Sequence, residues 1–138
     1  MCRTQLTKEN FVSTRSTLIV ASFLFLNQYA QVAVADDETI AEMALIVMEL
    51  KHYPSASAKA SLVAIAETAE NSDVEKQIAT AIANIQHKVT SADSTRLTKI
   101  IADDSSSDGA RALATIVNGI NHFPTKRDQE ILRTIAYR

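Results

Sequence analysis

The sequence predicts an all-α fold built from three tandem helical hairpins, and three observations support this. Residues 36–138 superimpose on themselves without a gap after a shift of 35 residues, and such a period is typical of helical repeat arrays. The whole chain contains only 2 glycines and 2 prolines, so few turn formers interrupt its periodic apolar stretches. Good helix-capping residues recur at the same places in each period. The expected architecture is a short α-solenoid-like array of six antiparallel helices.

Four columns of the 35-residue period hold an identical residue in all three copies. They are Ala44/Ala79/Ala114, His52/His87/His122, Leu62/Leu97/Leu132 and Ile65/Ile100/Ile135. Three more columns are apolar throughout: Met43/Ile78/Leu113, Val47/Ile82/Val117 and Leu50/Ile85/Ile120. Positions 43, 47 and 50 are spaced i, i+4, i+7, which places them on one face of a helix. The predicted units are therefore residues 36–70, 71–105 and 106–138.

Each unit is predicted to contain two helices with a corner between them. The first helix follows a cap at Asp37, Ser72 or Ser107, and the second follows a cap at Ser55, Thr90 or Thr125. Pro54 and Pro124 stand in the corner of the first and third units, where proline stops a helix because it lacks the N–H group. Val89 takes that place in the second unit.

Residues 1–35 are predicted to be a secretory signal peptide. Arg3, Lys8 and Arg15 precede the apolar run at residues 18–26, and Ala33-Val34-Ala35 forms a small-residue cleavage site. The alternative is an uncleaved anchor, but the clean apolar run has about half of the roughly 20 residues that a membrane span needs. We therefore expect an exported protein without stable membrane insertion after cleavage. It would be periplasmic in a Gram-negative cell and secreted otherwise.

Residues 36–138 are predicted to form one acidic domain of 103 residues. They carry 11 Lys and Arg against 15 Asp and Glu, so their net charge is −4. This charge disfavours nucleic acid and anionic membrane surfaces as partners. The only cysteine, Cys2, belongs to the predicted signal peptide, so helix packing rather than disulfide bonds must hold the domain together.

The period resembles, in length alone, the tetratricopeptide and pentatricopeptide repeats. The tetratricopeptide pattern includes a Trp near its start and a Pro at the end of its second helix. This chain has no Trp and places its prolines between the two helices of a unit. The pentatricopeptide resemblance implies RNA binding, which the predicted export and acidic charge disfavour. Only the generic class of helical array is predicted.

The sequence shows no catalytic constellation, and we expect neither enzyme activity nor a cofactor. It contains no Gly-x-Ser-x-Gly, no His-Glu-x-x-His and no glycine-rich phosphate loop. Acidic pairs occur at Asp36-Asp37, at Asp103-Asp104 and at Glu67 with Glu70. They are predicted to act as helix caps, dipole partners and solvated surface rather than as a general acid–base pair.

The histidine column, His52, His87 and His122, is the one polar column that all three units share. The favoured interpretation is structural: each histidine lies in the last turn of a helix, near the negative end of the dipole, and covers the following Tyr53 or Phe123. A metal site is the speculative alternative, with equivalent positions about 8–10 Å apart in packed helices and imidazole nitrogens about 2.0–2.1 Å from the ion. A pH-responsive row is the third, because an unperturbed histidine titrates near pH 6.5.

The leading functional hypothesis is a non-enzymatic interaction module that binds a protein or a peptide. It rests on the general use of short helical arrays, and fold alone does not imply function. The alternative is a protein that uses the histidine column to bind a metal or ligand or to respond to pH.

Overall fold

The computed structural model describes residues 38–138, which form six α-helices joined by short turns. The helices are α1 (residues 38–48), α2 (Ala56–Glu67), α3 (Asp73–Ala83), α4 (Ser91–Ala102), α5 (Asp108–Gly119) and α6 (Lys126–Ala136). Within these residues there is no β-strand beyond two isolated bridges, so the predicted all-α class is confirmed. The predicted signal peptide and the predicted cap Asp37 lie outside the described residues.

The predicted caps that fall within residues 38–138 all begin a helix. Each side-chain oxygen accepts a hydrogen bond from a first-turn backbone amide, at Ser55, Ser72, Thr90, Ser107 and Thr125. Ser72 and Glu75 form a reciprocal capping box, and so do Thr125 and Asp128. Each such cap stabilises its helix by about 0.5–2 kcal/mol. The boundaries of the helices are therefore set by local side-chain hydrogen bonds.

Helices α1, α3 and α5 form the inner layer of the fold. Their apolar columns Met43/Ile78/Leu113, Ala44/Ala79/Ala114 and Val47/Ile82/Val117 are completely buried. Helices α2, α4 and α6 form an outer layer, and each buries two apolar residues of the predicted stripe. None of the helices in residues 38–138 combines the length and the hydropathy needed to cross a bilayer.

The first and third of the predicted units are in contact, a closure that the sequence did not predict. Helix α2 packs on α3 and α4 packs on α5, so each outer helix covers the next inner helix. Helix α6 returns to α1, where the side-chain amide of Gln129 donates a hydrogen bond of 2.9 Å to the Met48 carbonyl. Gly109, at the start of α5, lies against Ile40.

Closure has a simple physical reason. An open row of three units would leave the apolar faces of its first and last inner helices in water. Because the units close, Ile40 and Ala110 at these faces are only 2% and 3% exposed. Burial of apolar surface contributes about 25 cal/mol per Å², so the closed arrangement is favoured over the open one.

Candidate metal centre

The three histidines lie in the turns that join inner to outer helices, not in the last turn of a helix as predicted. Helix α3 ends at Ala83, four residues before His87, and α5 ends at Gly119, three residues before His122. The backbone is already extended at Ile120, with φ −61° and ψ 126°. The helix-end interpretation is therefore wrong. The histidines also leave Tyr53 and Phe123 largely exposed, at 68% and 62%.

Backbone hydrogen bonds connect the three turns to one another. The N–H group of His87 donates to the carbonyl of His52 at 2.7 Å, and the N–H group of His122 donates to the carbonyl of His87 at 2.6 Å. Chain segments joined in this way lie about 4.7–4.9 Å apart, whereas packed helices lie about 8–10 Å apart. The turns consequently bring the histidines closer than the helix spacing predicts.

The imidazole rings form a triangle rather than a row. The ring centroids of His52 and His87 are 5.1 Å apart, those of His87 and His122 are 5.0 Å apart, and those of His52 and His122 are 5.4 Å apart. A straight row would place the first and third rings about twice as far apart as neighbours. Closure of the first unit onto the third makes the three distances nearly equal.

The triangle has the donor set of a transition-metal site. One ring nitrogen from each histidine can be chosen so that all three lie within 4.8 Å of one another. In a tetrahedral site with zinc–nitrogen bonds of about 2.0–2.1 Å, two nitrogens lie roughly 3.4 Å apart. All three side chains are exposed, so rotation of the rings can supply a movement of this size. Imidazole nitrogen suits zinc, copper, nickel and iron.

Asn121 orients one of the three rings. Its side-chain oxygen lies 2.9 Å from Nδ1 of His122. When Nδ1 donates this hydrogen bond to the amide oxygen, Nε2 keeps its lone pair for an ion. Metal-binding histidines usually have such a partner on the second nitrogen, because it sets the tautomer and the direction of the ring.

Asp93 holds both ends of the turn that carries His87. Its Oδ2 atom accepts hydrogen bonds from the Asn84 amide, at the end of α3, and from the Thr90 hydroxyl, at the start of α4. Its Oδ1 atom accepts from Arg96 at 2.8 Å. Burial raises the pKa of Asp93, but the hydrogen bonds from Thr90, Asn84 and Arg96 outweigh it and leave the pKa below its usual value. The sequence predicted the cap at Thr90 but not the contact between Asp93 and Asn84.

The chain matches no protein-family model, no curated protein and no solved structure. Its function has to be argued from the geometry of the site.

The acidic pairs show local structural contacts. Asp103 accepts hydrogen bonds from the Ser105 hydroxyl and backbone N–H, which lower its pKa. Asp104 pairs with Arg111 at 3.3 Å. Glu67 and Glu70 are exposed. The pair Asp36-Asp37 lies outside the described part of the chain. The predicted roles as caps and dipole partners stay predictions, and the contacts described are those of a turn and of the surface.

Two of the histidines adopt a backbone conformation that favours glycine. The φ angle is 70° at His87 and 77° at His122, whereas His52 is not among the residues with positive φ. This conformation costs a residue with a Cβ atom about 1–2 kcal/mol. A histidine at such a position is therefore retained at the expense of local backbone strain.

We predict that His87→Gly raises the free energy of unfolding of the metal-free protein by about 0.5–1 kcal/mol, after the extra entropy of the unfolded glycine chain is subtracted. The matched change His52→Gly relieves no positive φ and should lower it by a similar amount. Urea denaturation with a chelator present measures both. Equal destabilisation by the two changes would contradict the assignment of strain to His87.

Proposed function

We propose that His52, His87 and His122 together bind one divalent first-row transition-metal ion, each through one imidazole nitrogen. The observation that carries this proposal is the triangle of rings, with centroids 5.0–5.4 Å apart and donor nitrogens within 4.8 Å. The rings are exposed, so core packing does not require them to converge.

The backbone supports a role for these side chains beyond forming the turns. Glycine adopts a positive φ more readily than histidine does. Residues held in such strained conformations cluster at functional sites, where the side chain is needed. The contact between Asn121 and His122 adds the outer partner that ligand histidines commonly have.

Zinc and copper are the metals that this donor set favours. Three neutral imidazoles offer nitrogen and no oxygen, whereas calcium and magnesium prefer oxygen ligands. The three candidate ligands include neither a thiolate nor a carboxylate. Cu²⁺ should bind more tightly than Zn²⁺, because affinity at a given nitrogen site follows that order.

The proposal includes the finer architecture that the sequence suggests. Three units of 35 residues, at 36–70, 71–105 and 106–138, would each contribute one histidine. The pattern of residues 1–35 supports export through a cleaved signal peptide, to the periplasm of a Gram-negative cell or to the exterior of another cell. The protein would be a metal-binding protein rather than an enzyme.

The interaction-module hypothesis stays a prediction, and the geometry favours the histidine site over it. The large apolar side chains that are exposed within residues 38–138 are spread over α1, α2, two turns and the C-terminus: Leu45, Tyr53, Val63, Phe123 and Tyr137. This distribution points to no particular protein or peptide. The pH-responsive row likewise stays a prediction.

Competition titration against a chromophoric chelator tests the proposal, with Zn²⁺ and Cu²⁺ in turn. The protein should carry Cys2→Ser, so that its only thiolate is removed. We expect one ion per chain. His87→Asn and His122→Asn tolerate the positive φ and should each weaken binding by at least about 100-fold, since losing even an outer partner costs about 10–100-fold.

The control is Lys88→Asn, an exposed change next to His87 that removes no imidazole. It should bind the ion with nearly wild-type affinity. Absence of binding, or equal affinity in the wild type and the two histidine variants, would rule the site out.

A further inference from the structure

The proposed metal site leaves a coordination position open to solvent. Zinc sites with three protein ligands hold a water or another outside molecule in the fourth position. All three histidines are exposed, so that position lies on the surface. What fills it depends on the cavities beside the rings.

A cavity of 330 Å³ adjoins the site at His87. It is lined by Tyr53, Pro54, Lys59, Ile85, Gln86 and His87. Its volume is at the lower end of the range of about 300–1,000 Å³ that small-molecule sites occupy. The exposed part of the lining includes the Tyr53 ring and the Lys59 ammonium group and contains no acidic residue, whereas Pro54 and Ile85 are buried behind it.

A second, larger cavity shares Tyr53 with the first, and its lining carries both an acidic and a basic side chain. It is lined by residues 48–53 and Ser55, which include His52, Glu49 and Lys51. Glu49 offsets the attraction that Lys51 would exert on an anion, so this cavity favours an anion less than the cavity beside His87 does. Tyr53 is common to both cavities and is 68% exposed, so its ring is available to a ligand.

We propose that the cavity beside His87 binds a small carboxylate with an aromatic or apolar body. The carboxylate fills the open position of the metal, the ammonium group of Lys59 adds attraction for its charge, and the body packs on the exposed ring of Tyr53. This inference rests on the proposed metal site and specifies the class of molecule that the site holds.

Cobalt-loaded protein tests the inference, because Co²⁺ bound by three histidines absorbs visible light and the spectrum changes when the fourth ligand changes. Benzoate and acetate serve as the probes. We expect both to alter the spectrum, with benzoate binding about 2–10-fold more tightly, the gain expected from contact between two aromatic rings. Tyr53→Ala should remove the advantage of benzoate and leave acetate unchanged. Lys59→Gln should weaken both probes by about 2–5-fold, as expected for an exposed charge pair.

The matched control is Phe123→Ala. Phe123 occupies the equivalent place in the third unit but does not line this cavity, so its loss should change neither affinity. Equal affinities for benzoate and acetate, or an unchanged preference in Tyr53→Ala, would overturn the inference. A histidine–cobalt spectrum that neither benzoate nor acetate changes would also overturn the inference, but it would leave the metal site intact. Absence of the histidine–cobalt spectrum would refute the metal site itself.

Discussion

Saturating zinc is expected to raise the thermal midpoint of the protein by about 10–20 °C. A ligand at 100 times its dissociation constant stabilises the native state by about 2.7 kcal/mol, and each kcal/mol corresponds to about 4–8 °C in a domain of this size. The stabilisation requires a folded chain, because the three ligands are 35 and 70 residues apart in the sequence. The ion would also join His52 in the first unit to His122 in the third. These two units already touch through the hydrogen bond between Gln129 and Met48.

Circular dichroism melting with zinc and with a chelator measures this shift. His87→Asn should abolish the shift while it preserves the fold, because asparagine tolerates the positive φ at this position. Magnesium, which prefers oxygen ligands, should produce no shift. An equal zinc shift in the wild type and His87→Asn would place the binding elsewhere in the chain.

Asp93→Ala is expected to lower the free energy of unfolding by about 1.5–3 kcal/mol, the range for hydrogen bonds that involve a charged group. The change leaves the Asn84 amide and the Thr90 hydroxyl without their shared acceptor. It also frees both ends of the His87 turn, so zinc affinity should fall by about 10–100-fold, as for other outer partners of metal ligands. Asp128→Ala is the matched control, because Asp128 caps the third unit through Thr125 alone, in exposed contacts.

The contribution of Asp93 should depend on pH in a definite direction. Its pKa is lower in the folded protein than the ordinary value. Its stabilisation is therefore fully present above the unfolded pKa of about 3.9 and is lost as the pH falls through the lower folded pKa. Urea denaturation of wild type and Asp93→Asn should show a large difference at pH 7 and a smaller one near pH 3. A difference that did not change between these conditions would contradict the role of the ionised carboxylate.

Helices and core could be predicted from the sequence because their determinants are local. The spacing of Met43 and Val47 defines one face of α1, and Ser72 with Glu75 marks the start of a helix without reference to the rest of the chain. Leu50 was predicted on the same face but follows the end of α1 at residue 48. Because the sequence repeats every 35 residues, the same helix assignments apply at equivalent positions of each unit. The structure places the predicted apolar columns in the core.

The sequence predicted which residues could form the site, but it did not predict their geometry. Histidine is a weaker marker of a positive φ than glycine is, so the sequence did not predict this conformation at His87 and His122. The estimate of 8–10 Å came from helix packing, whereas backbone hydrogen bonds between turns set the spacing observed. The approach of His52 to His122 follows from closure of the first unit onto the third, which depends on contacts between distant residues such as Gln129 and Met48.

X-ray absorption spectroscopy at the zinc edge of the zinc-loaded protein tests the central claim most directly. We predict three imidazole nitrogens at about 2.0–2.1 Å, recognised by the outer-shell scattering of the rings, and one further light ligand. The same measurement on His122→Asn should show two imidazoles. A first shell with fewer than two imidazoles in the wild-type protein, or one that His122→Asn leaves unchanged, would contradict a site built from His52, His87 and His122.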